Sequence, residues 1–509
     1  MNNKKITHML IILSTMFMAL IVYLTVIDLY YRDDYTQSTL NQRNAAREMS
    51  IIRGSIYDRN GTVLAESGPA DGNSADGNSA DASSADASSP KNNSAQNSSE
   101  TPKRVYPYKN LYSHVIGYSS ATYGKSLIET AYNDELLGNK GLISITNLKN
   151  MLSGKKSRGN DITLTIDHEL QKKADELMSK YNGSLVAMNP QTGEILAMIS
   201  KPDFNPEEDS LAKNWSILTD DKNSPFLTRA TMGLYPPGST FKVLTTAAML
   251  KNGMESDTVN DTKGYVTFGD KDIANSGKTR YGNTDLLNGF KKSSNVFFAT
   301  EASKMTDEML LSTAESFLFN RKIDFKFPYS KSRFNTGKMA SAERAMTGIG
   351  QGKTLATPLQ LALVASAVAN DGVMMRPYLV SKISSSGYAV EYTKASDMKT
   401  CIDAKTAQKI KDLMRETIKS GTGRSAQLPG IEVCGKTGTA ENEKTDEDAS
   451  KTHAVFIGFA PYDNPQIAIS VVLEYAGSSG GTIAAPISRE LMRKFFEINK
   501  NRNTTPSFN

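Results

Sequence analysis

The sequence predicts an α+β protein of more than one domain, tethered by a single transmembrane helix. Three observations lead there. The chain has 509 residues, more than one ordinary domain uses. Strand-like apolar segments occur before residue 200 and again after Cys434, with mainly helical patterning over about 225–375. Distant segments must therefore complete one sheet. Finally, an uncharged run from Met9 to Ile27 follows Lys4 and Lys5.

That run is the first element. Nineteen helical residues reach about 28 Å, close to the thickness of a hydrocarbon core. A cleavable leader would be shorter and end in small residues. This run ends in Asp28-Leu29-Tyr30-Tyr31-Arg32-Asp33, which reads as an uncleaved signal anchor. Residues 1–8 are then a cytoplasmic tail, 9–27 the anchor, and the remainder lies outside the membrane.

Between Arg53 and Ala65, Asp58 to Gly61 reads as a turn joining short apolar strands. From Ala70 to Ser89 the chain is four five-residue units: ADGNS twice, then ADASS twice. With no apolar side chain larger than Ala, such a stretch cannot offset its ordering entropy. Residues 66–103 are accordingly expected to be a disordered loop-tip insertion. Order resumes near Tyr106.

Asp161–Ile166 reads as a strand. Asp167 should cap a helix carrying Leu170, Ala174, Leu177 and Met178 on one face, and Gly183 should end it. Strands 184–188 and 194–199 flank the turn Asn189-Pro190-Gln191-Thr192-Gly193. Strands 454–459 and 466–473 follow later, and a helix over about 487–498 closes the chain.

Composition excludes several functions. A net charge of +5 over this length does not point to nucleic acid. Only Cys401 and Cys434 are present, so there is no disulfide framework, which leaves room for one bridge between the two, and Cys434 reads as a small packed residue. The four histidines form no His-Glu-x-x-His motif, so no zinc site is expected.

Chemistry is concentrated in three motifs. In Tyr235-Pro236-Pro237-Gly238-Ser239-Thr240-Phe241-Lys242, Ser239 opens a helix and Lys242 lies one turn on, along the same face. A serine hydroxyl becomes nucleophilic when a base takes its proton, and a lysine held neutral can do so. Other Ser-x-x-Lys copies, Ser88/Lys91 and Ser153/Lys156, sit in loops unsuited to holding that geometry. Lys292-Ser293-Ser294-Asn295 and Cys434-Gly435-Lys436-Thr437-Gly438-Thr439-Ala440 follow in order. Ser-x-x-Lys, Ser-x-Asn and Lys-Thr-Gly together are the signature of serine β-lactamases and penicillin-binding proteins. Ser293 would relay a proton to the departing amine, and Asn295 would meet a peptide backbone. Lys436 would bias Lys242 toward its neutral form. Thr437 and Thr439 would bind a carboxylate, Thr439 would add an oxyanion N–H, and Gly438 would permit close approach.

Two decoys are set aside. Gly430 to Thr437 matches the P-loop formula, yet strand-like residues fill its middle and a polar loop follows it. Tyr281-Gly282-Asn283 precedes the Ser-x-Asn motif, the wrong order for a class D β-lactamase, and reads as a turn.

The whole chain resembles a class B penicillin-binding protein. Arg53–Ala65 is similar to the start of that family's pedestal. Gly124-Lys125-Ser126-Leu127-Ile128-Glu129 resembles a pedestal motif whose second glycine is here Leu127. Gly348-Ile349-Gly350-Gln351-Gly352 with Thr357-Pro358-Leu359-Gln360 resembles a helix-opening segment, and His453–Phe459 the strand after Lys-Thr-Gly, with Val455 where Trp is frequent. The resemblance implies an N-terminal pedestal over 28–160 and a transpeptidase domain over 161–500 with a short tail, 501–509. That domain would carry a serine β-lactamase-like helical lobe beside a five-stranded antiparallel sheet. It implies a Ser239 acyl-enzyme that cross-links peptidoglycan stem peptides with release of D-Ala, covalent inhibition by β-lactams and no cofactor. A SEDS-family glycosyltransferase would be the partner. A β-lactamase would be smaller, a carboxypeptidase would not carry so long a pedestal, and a β-lactam sensor would carry a signalling protease.

Overall fold

The computed structural model describes residues 3–26, 51–68, 103–138, 157–385, 388–442, 444–445, 448 and 451–504. The chain divides into two packing units. One comprises Met1–Gly54, Ser67–Lys103 and Leu137–Gly159. Among its described residues are the helix Asn3–Val26 and a short parallel pairing of Ile51–Ile52 with Ser157–Arg158. Ile6–Val26 of that helix is solvent-exposed in the isolated chain and long and apolar enough to cross a membrane. The stretch 28–33 and the outermost tail residues, 505–509, lie outside the described residues.

The other unit comprises Ser55–Glu66, Arg104–Leu136 and Asn160–Asn509. Backbone pairing joins these segments. Asp161–Leu164 pairs in parallel with Ile56–Tyr57 and antiparallel with Val380–Ser385. These strands belong to one six-stranded sheet, ordered Tyr388–Tyr392, Val380–Ser385, Asp161–Leu164, Ile56–Tyr57, Val63–Gly68, Lys103–Val105. The last two strands are neighbours, and Glu66–Gly68 and Lys103, expected in the insertion, lie within them. Residues 69–102 themselves lie outside the described residues.

The predicted turn at Asp58–Gly61 ties this six-stranded sheet to a helix. The Asp58 carboxylate accepts the N–H groups of Asn60 (2.9 Å) and Thr62 (2.7 Å) within its own turn. It also accepts the N–H of His168 at 3.1 Å, the first residue of the helix His168–Met178. Asp167 caps the same helix by accepting Leu170 N–H at 3.2 Å. Two carboxylates thus meet the positive end of one helix dipole. Gly183 does not end this helix, which stops at Met178. It opens a strand instead, because a Cβ there would lie 2.1 Å from Val472 O.

The main sheet has five antiparallel strands in the order Ile195–Lys201, Gly183–Met188, Ile467–Leu473, His453–Ala460, Cys434–Ala440. Its central strands are apolar on both faces because helices cover both. Val186, Met188, Val455, Ile457, Ala468 and Val472 join one core with the helix Pro358–Ala369. Leu185, Ala187, Phe456, Ile469 and Val471 join another with His168–Met178 and Ala484–Thr504. Pro358–Ala369 is buried on every side, as its lack of a polar face requires. The last helix runs well past the expected 487–498, to Thr504.

The region read as helical also holds strands. Tyr265–Phe268 and Lys271–Ala274 form a hairpin across Gly269-Asp270, and Val259–Asp261 pairs with Gly282–Thr284. Short strands closed by a Gly-Asp turn leave little periodicity to detect.

Asp58 is fully buried and anchors both its own turn and a remote helix. Asp58→Ala should therefore lower unfolding stability by about 3 kcal/mol, as expected when buried N–H groups lose their acceptor. Chemical denaturation measures this, and a change below about 0.5 kcal/mol would show that water replaces the carboxylate.

Candidate active site

The three motifs converge where the helical lobe meets the Cys434–Ala440 edge of the main sheet. Ser239 is the second residue of a 3-10 turn, Gly238–Phe241, that runs straight into the helix Lys242–Lys251. The expected α-helical start is thus a tighter turn. Gly238 has φ +52°, and a Cβ there would lie 2.7 Å from Thr439 O. Only glycine lets the Ser239 turn sit this close to the edge strand. Gly350, from the helix-opening segment, braces the turn from the other side. Gly238 N–H donates to Gly350 O at 3.0 Å, and a Cβ on Gly350 would lie 2.0 Å from Gly238 O.

Lys242 and Lys436 are both fully buried. Lys242 Nζ reaches Ser293 O at 2.8 Å, Ser293 Oγ at 3.2 Å and Asn295 Oδ1 at 2.7 Å. Lys436 Nζ donates to Ser293 Oγ at 2.8 Å and to Thr437 O at 3.2 Å. One hydroxyl therefore bridges two lysines. Burial, and then the charge of Lys436, push the Lys242 ammonium well below the ordinary lysine range. Burial pushes Lys436 down to about 7. A neutral Lys242 has two protons for Ser293 O and Asn295 Oδ1, which leaves its lone pair for a hydroxyl proton. Ser239 is half-buried, and among the described residues its hydroxyl makes no hydrogen bond.

Asn295 Oδ1 accepts from Lys242, while its Nδ2 donates to Ala274 O at 2.8 Å. One further lone pair and one further proton stay available on that amide. Thr439 is exposed on the edge strand; Thr437 is buried, its Oγ1 lying 2.6 Å from Thr422 Oγ1. The groups nearest a Cβ at Gly438 are Pro237 O and Thr240 Cγ2, both at 3.1 Å. Gly438 thus admits the nucleophile's own turn. Cys434–Ala440 pairs with His453–Ala460 on one side only, so its outer edge is unpaired by any described strand. Sequence reasoning missed Thr422, Asn275 and Asp261, which lie behind the motifs and carry no spacing signal.

The decoys resolve as turns and strands. Gly435 to Thr437 lie within the extended strand Cys434–Ala440, not in a phosphate-cradling loop. Gly282 has φ +72° and opens a short strand. Cys401 and Cys434 are buried and unbridged.

Comparison with known proteins follows the same lines. Residues 183–493 match the family described as "Penicillin binding protein transpeptidase domain". Residues 87–162 match "Penicillin binding protein A dimerisation domain". The peptidoglycan D,D-transpeptidase PbpA of Mycolicibacterium smegmatis is 30% identical, over 96% of this chain and 98% of that protein. Stage V sporulation protein D of Bacillus subtilis is 31% identical, over 78% of this chain and 64% of that protein. The penicillin G acyl-enzyme complex of M. tuberculosis penicillin-binding protein A superposes with a TM-score of 0.76 at 28% identity. That match covers 88% of this chain and all of the other.

Two buried lysines with lowered pKa values make stability depend on pH. The folded chain binds fewer protons than the unfolded chain between about pH 7 and the unfolded lysine value near 10.4. Unfolding free energy should therefore rise with pH across that window, by at most about 1.4 kcal/mol per unit per lysine. Denaturation at about pH 7 and about pH 9 should show this rise, reduced in Lys436→Met. An identical pH dependence in the variant would mean Lys436 stays charged in the folded protein.

Proposed function

The chain belongs to the penicillin-binding protein transpeptidase family, and from that membership and the site geometry we propose that it is a membrane-anchored peptidoglycan D,D-transpeptidase. The observation that carries the residue roles is the Ser293 hydroxyl held 3.2 Å from Lys242 Nζ and 2.8 Å from Lys436 Nζ.

Ser239 Oγ attacks the carbonyl of the penultimate D-Ala while Lys242 takes its proton. The lowered basicity of Lys242 makes the neutral amine accessible near neutral pH, and an unperturbed lysine would be almost wholly protonated there. The backbone N–H groups of Ser239 and Thr439 stabilise the oxyanion. The bond to the terminal D-Ala breaks, and its amine receives a proton through Ser293, which Lys242 and Lys436 can both resupply. The amine of a neighbouring stem peptide then attacks the acyl-enzyme and restores Ser239. Donor peptide backbone adds to the free edge of Cys434–Ala440 and to Asn295. Thr437 and Thr439 hold its terminal carboxylate. A β-lactam enters the same cycle and stops at the acyl-enzyme.

Residues 28–160 serve as the pedestal and 161–500 carry the reaction. The apolar helix beginning just after Lys4 and Lys5 supports a single-pass anchor with the catalytic part outside the cytoplasm. A SEDS-family polymerase supplies the glycan strand, and co-purification from solubilised membranes checks that partnership.

Purified protein should form a covalent penicillin adduct at Ser239 and release D-Ala from a pentapeptide donor in proportion to an added acceptor amine. Ser239→Ala should fold and form no adduct. Lys242→Arg keeps the charge but holds its proton, so acylation should slow at least about 100-fold while non-covalent donor binding persists. An adduct on another residue overturns the nucleophile, and near-normal acylation of Lys242→Arg overturns the base. Release of D-Ala only by hydrolysis would make the enzyme a carboxypeptidase.

Protease added outside intact spheroplasts should digest the chain beyond about residue 30. Protection of the C-terminus would reverse the orientation.

A further inference from the structure

Ser293 holds its hydroxyl between the two lysines from a backbone conformation that serine disfavours, φ +58°. Its amide ends the helix Leu286–Lys291, with Ser293 N–H on Phe290 O at 3.1 Å and Ser294 N–H on Gly289 O at 2.8 Å. Immediately after it the helix Asn295–Lys304 begins, so the turn is confined between two helix ends. The second helix start is held by Asn275, at the end of the hairpin Tyr265–Ala274. Asn275 Oδ1 accepts the N–H groups of Asn295 at 2.8 Å and Val296 at 3.1 Å. Ser294 Oγ accepts the next N–H, of Phe297, at 3.0 Å.

An amide side chain could face this helix with either end. Here a carboxylate decides. Asp261 Oδ2 accepts Asn275 Nδ2–H at 2.7 Å and lies 2.9 Å from Ser294 Oγ, which donates to it; Asn275 Oδ1 is 3.2 Å from that hydroxyl. Asn275 Nδ2 also donates to Thr279 O at 2.8 Å. Asp261 Oδ2, which accepts the Ser294 hydroxyl, and Thr279 O both act as acceptors here, so Asn275 turns its NH2 toward them and its oxygen toward the helix. Asp261 is fully buried, forms no ion pair among the described residues, and its Oδ1 has no hydrogen-bond partner. Burying a carboxylate this way is costly, so stability alone does not account for it.

We propose that Asn275, with its amide orientation set by the buried carboxylate of Asp261, is a positioning residue that holds Ser293 between Lys242 and Lys436. This rests on the transpeptidase reading above. Neither residue touches substrate; both act through the backbone of the Ser293–Val296 turn.

The test uses the full-length protein in detergent and separates the penicillin acylation rate constant from the non-covalent dissociation constant. Asn275→Ala should slow acylation by about 100-fold, the order expected for a misplacement near 1 Å, with non-covalent binding within about threefold. Asn275→Asp should slow it similarly, because two carboxylates then face each other. Asp261→Asn keeps an oxygen that can accept from Asn275 Nδ2 and Ser294 Oγ, and Asp261→Leu keeps the bulk without an acceptor. The first should hold acylation within about fivefold of wild type, and the second should slow it by about 100-fold. Equal acylation by folded Asn275→Ala and wild type overturns the proposal, even if thermal stability falls. So does equal acylation by folded Asp261→Leu and wild type, or slowing of Asp261→Asn well beyond fivefold, whereas slowing in Asp261→Leu beside near-normal Asp261→Asn supports it even if Asn275→Ala does not fold. A wild-type protein that penicillin never acylates would instead remove the transpeptidase reading, and this inference with it.

Discussion

The site depends on the burial of two lysine ammonium groups around one serine hydroxyl. Lys242 and Lys436 have no solvent exposure and share Ser293 Oγ. Water would screen their repulsion and keep both protonated. Its exclusion lowers the proton affinity of each, and Lys242 is lowered further by its neighbour. The amine that a serine nucleophile requires is therefore a product of packing rather than of any catalytic partner with an unusual side chain.

That packing comes from elements far apart in sequence. Lys242 sits in the first turn of a helix, Ser293 between two helices, and Lys436 on the edge strand of the sheet. Glycines make the approach feasible. Gly238 faces Thr439 O, Gly350 faces Gly238 O, and Gly438 lies under Pro237 and Thr240. A side chain at any of the three would press the Ser239 turn out of its present place against its neighbours. The same edge is left unpaired by the sheet, which suits the addition of an extended peptide.

Conservative replacements do not preserve this arrangement. Arginine at 242 retains charge and loses the transferable proton. Asn295 uses one lone pair on Lys242 and one proton on Ala274 O, so its amide both shapes the lysine environment and keeps capacity for substrate. Thr437 is tied to Thr422, a residue from the loop after the helix Ala404–Ser420. One pair of hydroxyls thus ties that loop to the edge strand.

The sequence by itself determined the anchor helix, the Asp58 turn, the Asp167 cap, the central strands and the order of three short motifs. These rest on local periodicity, turn chemistry and spacing, which the chain carries without its fold. The helical middle hid a hairpin and a short strand pair, because three- and four-residue strands have too few positions to show alternation. Gly183 was misread because its reason, the carbonyl of Val472, lies 289 residues away. Only the tertiary structure decided that Asp161–Leu164 pairs with segments on both sides of the expected domain boundary. Only it placed Gly350 beneath Gly238 and Asn275 and Asp261 behind Ser293. A motif names side chains that can react. Burial, dielectric and hydrogen-bond direction are set by what folds around them, and those partners come from segments that no spacing rule connects.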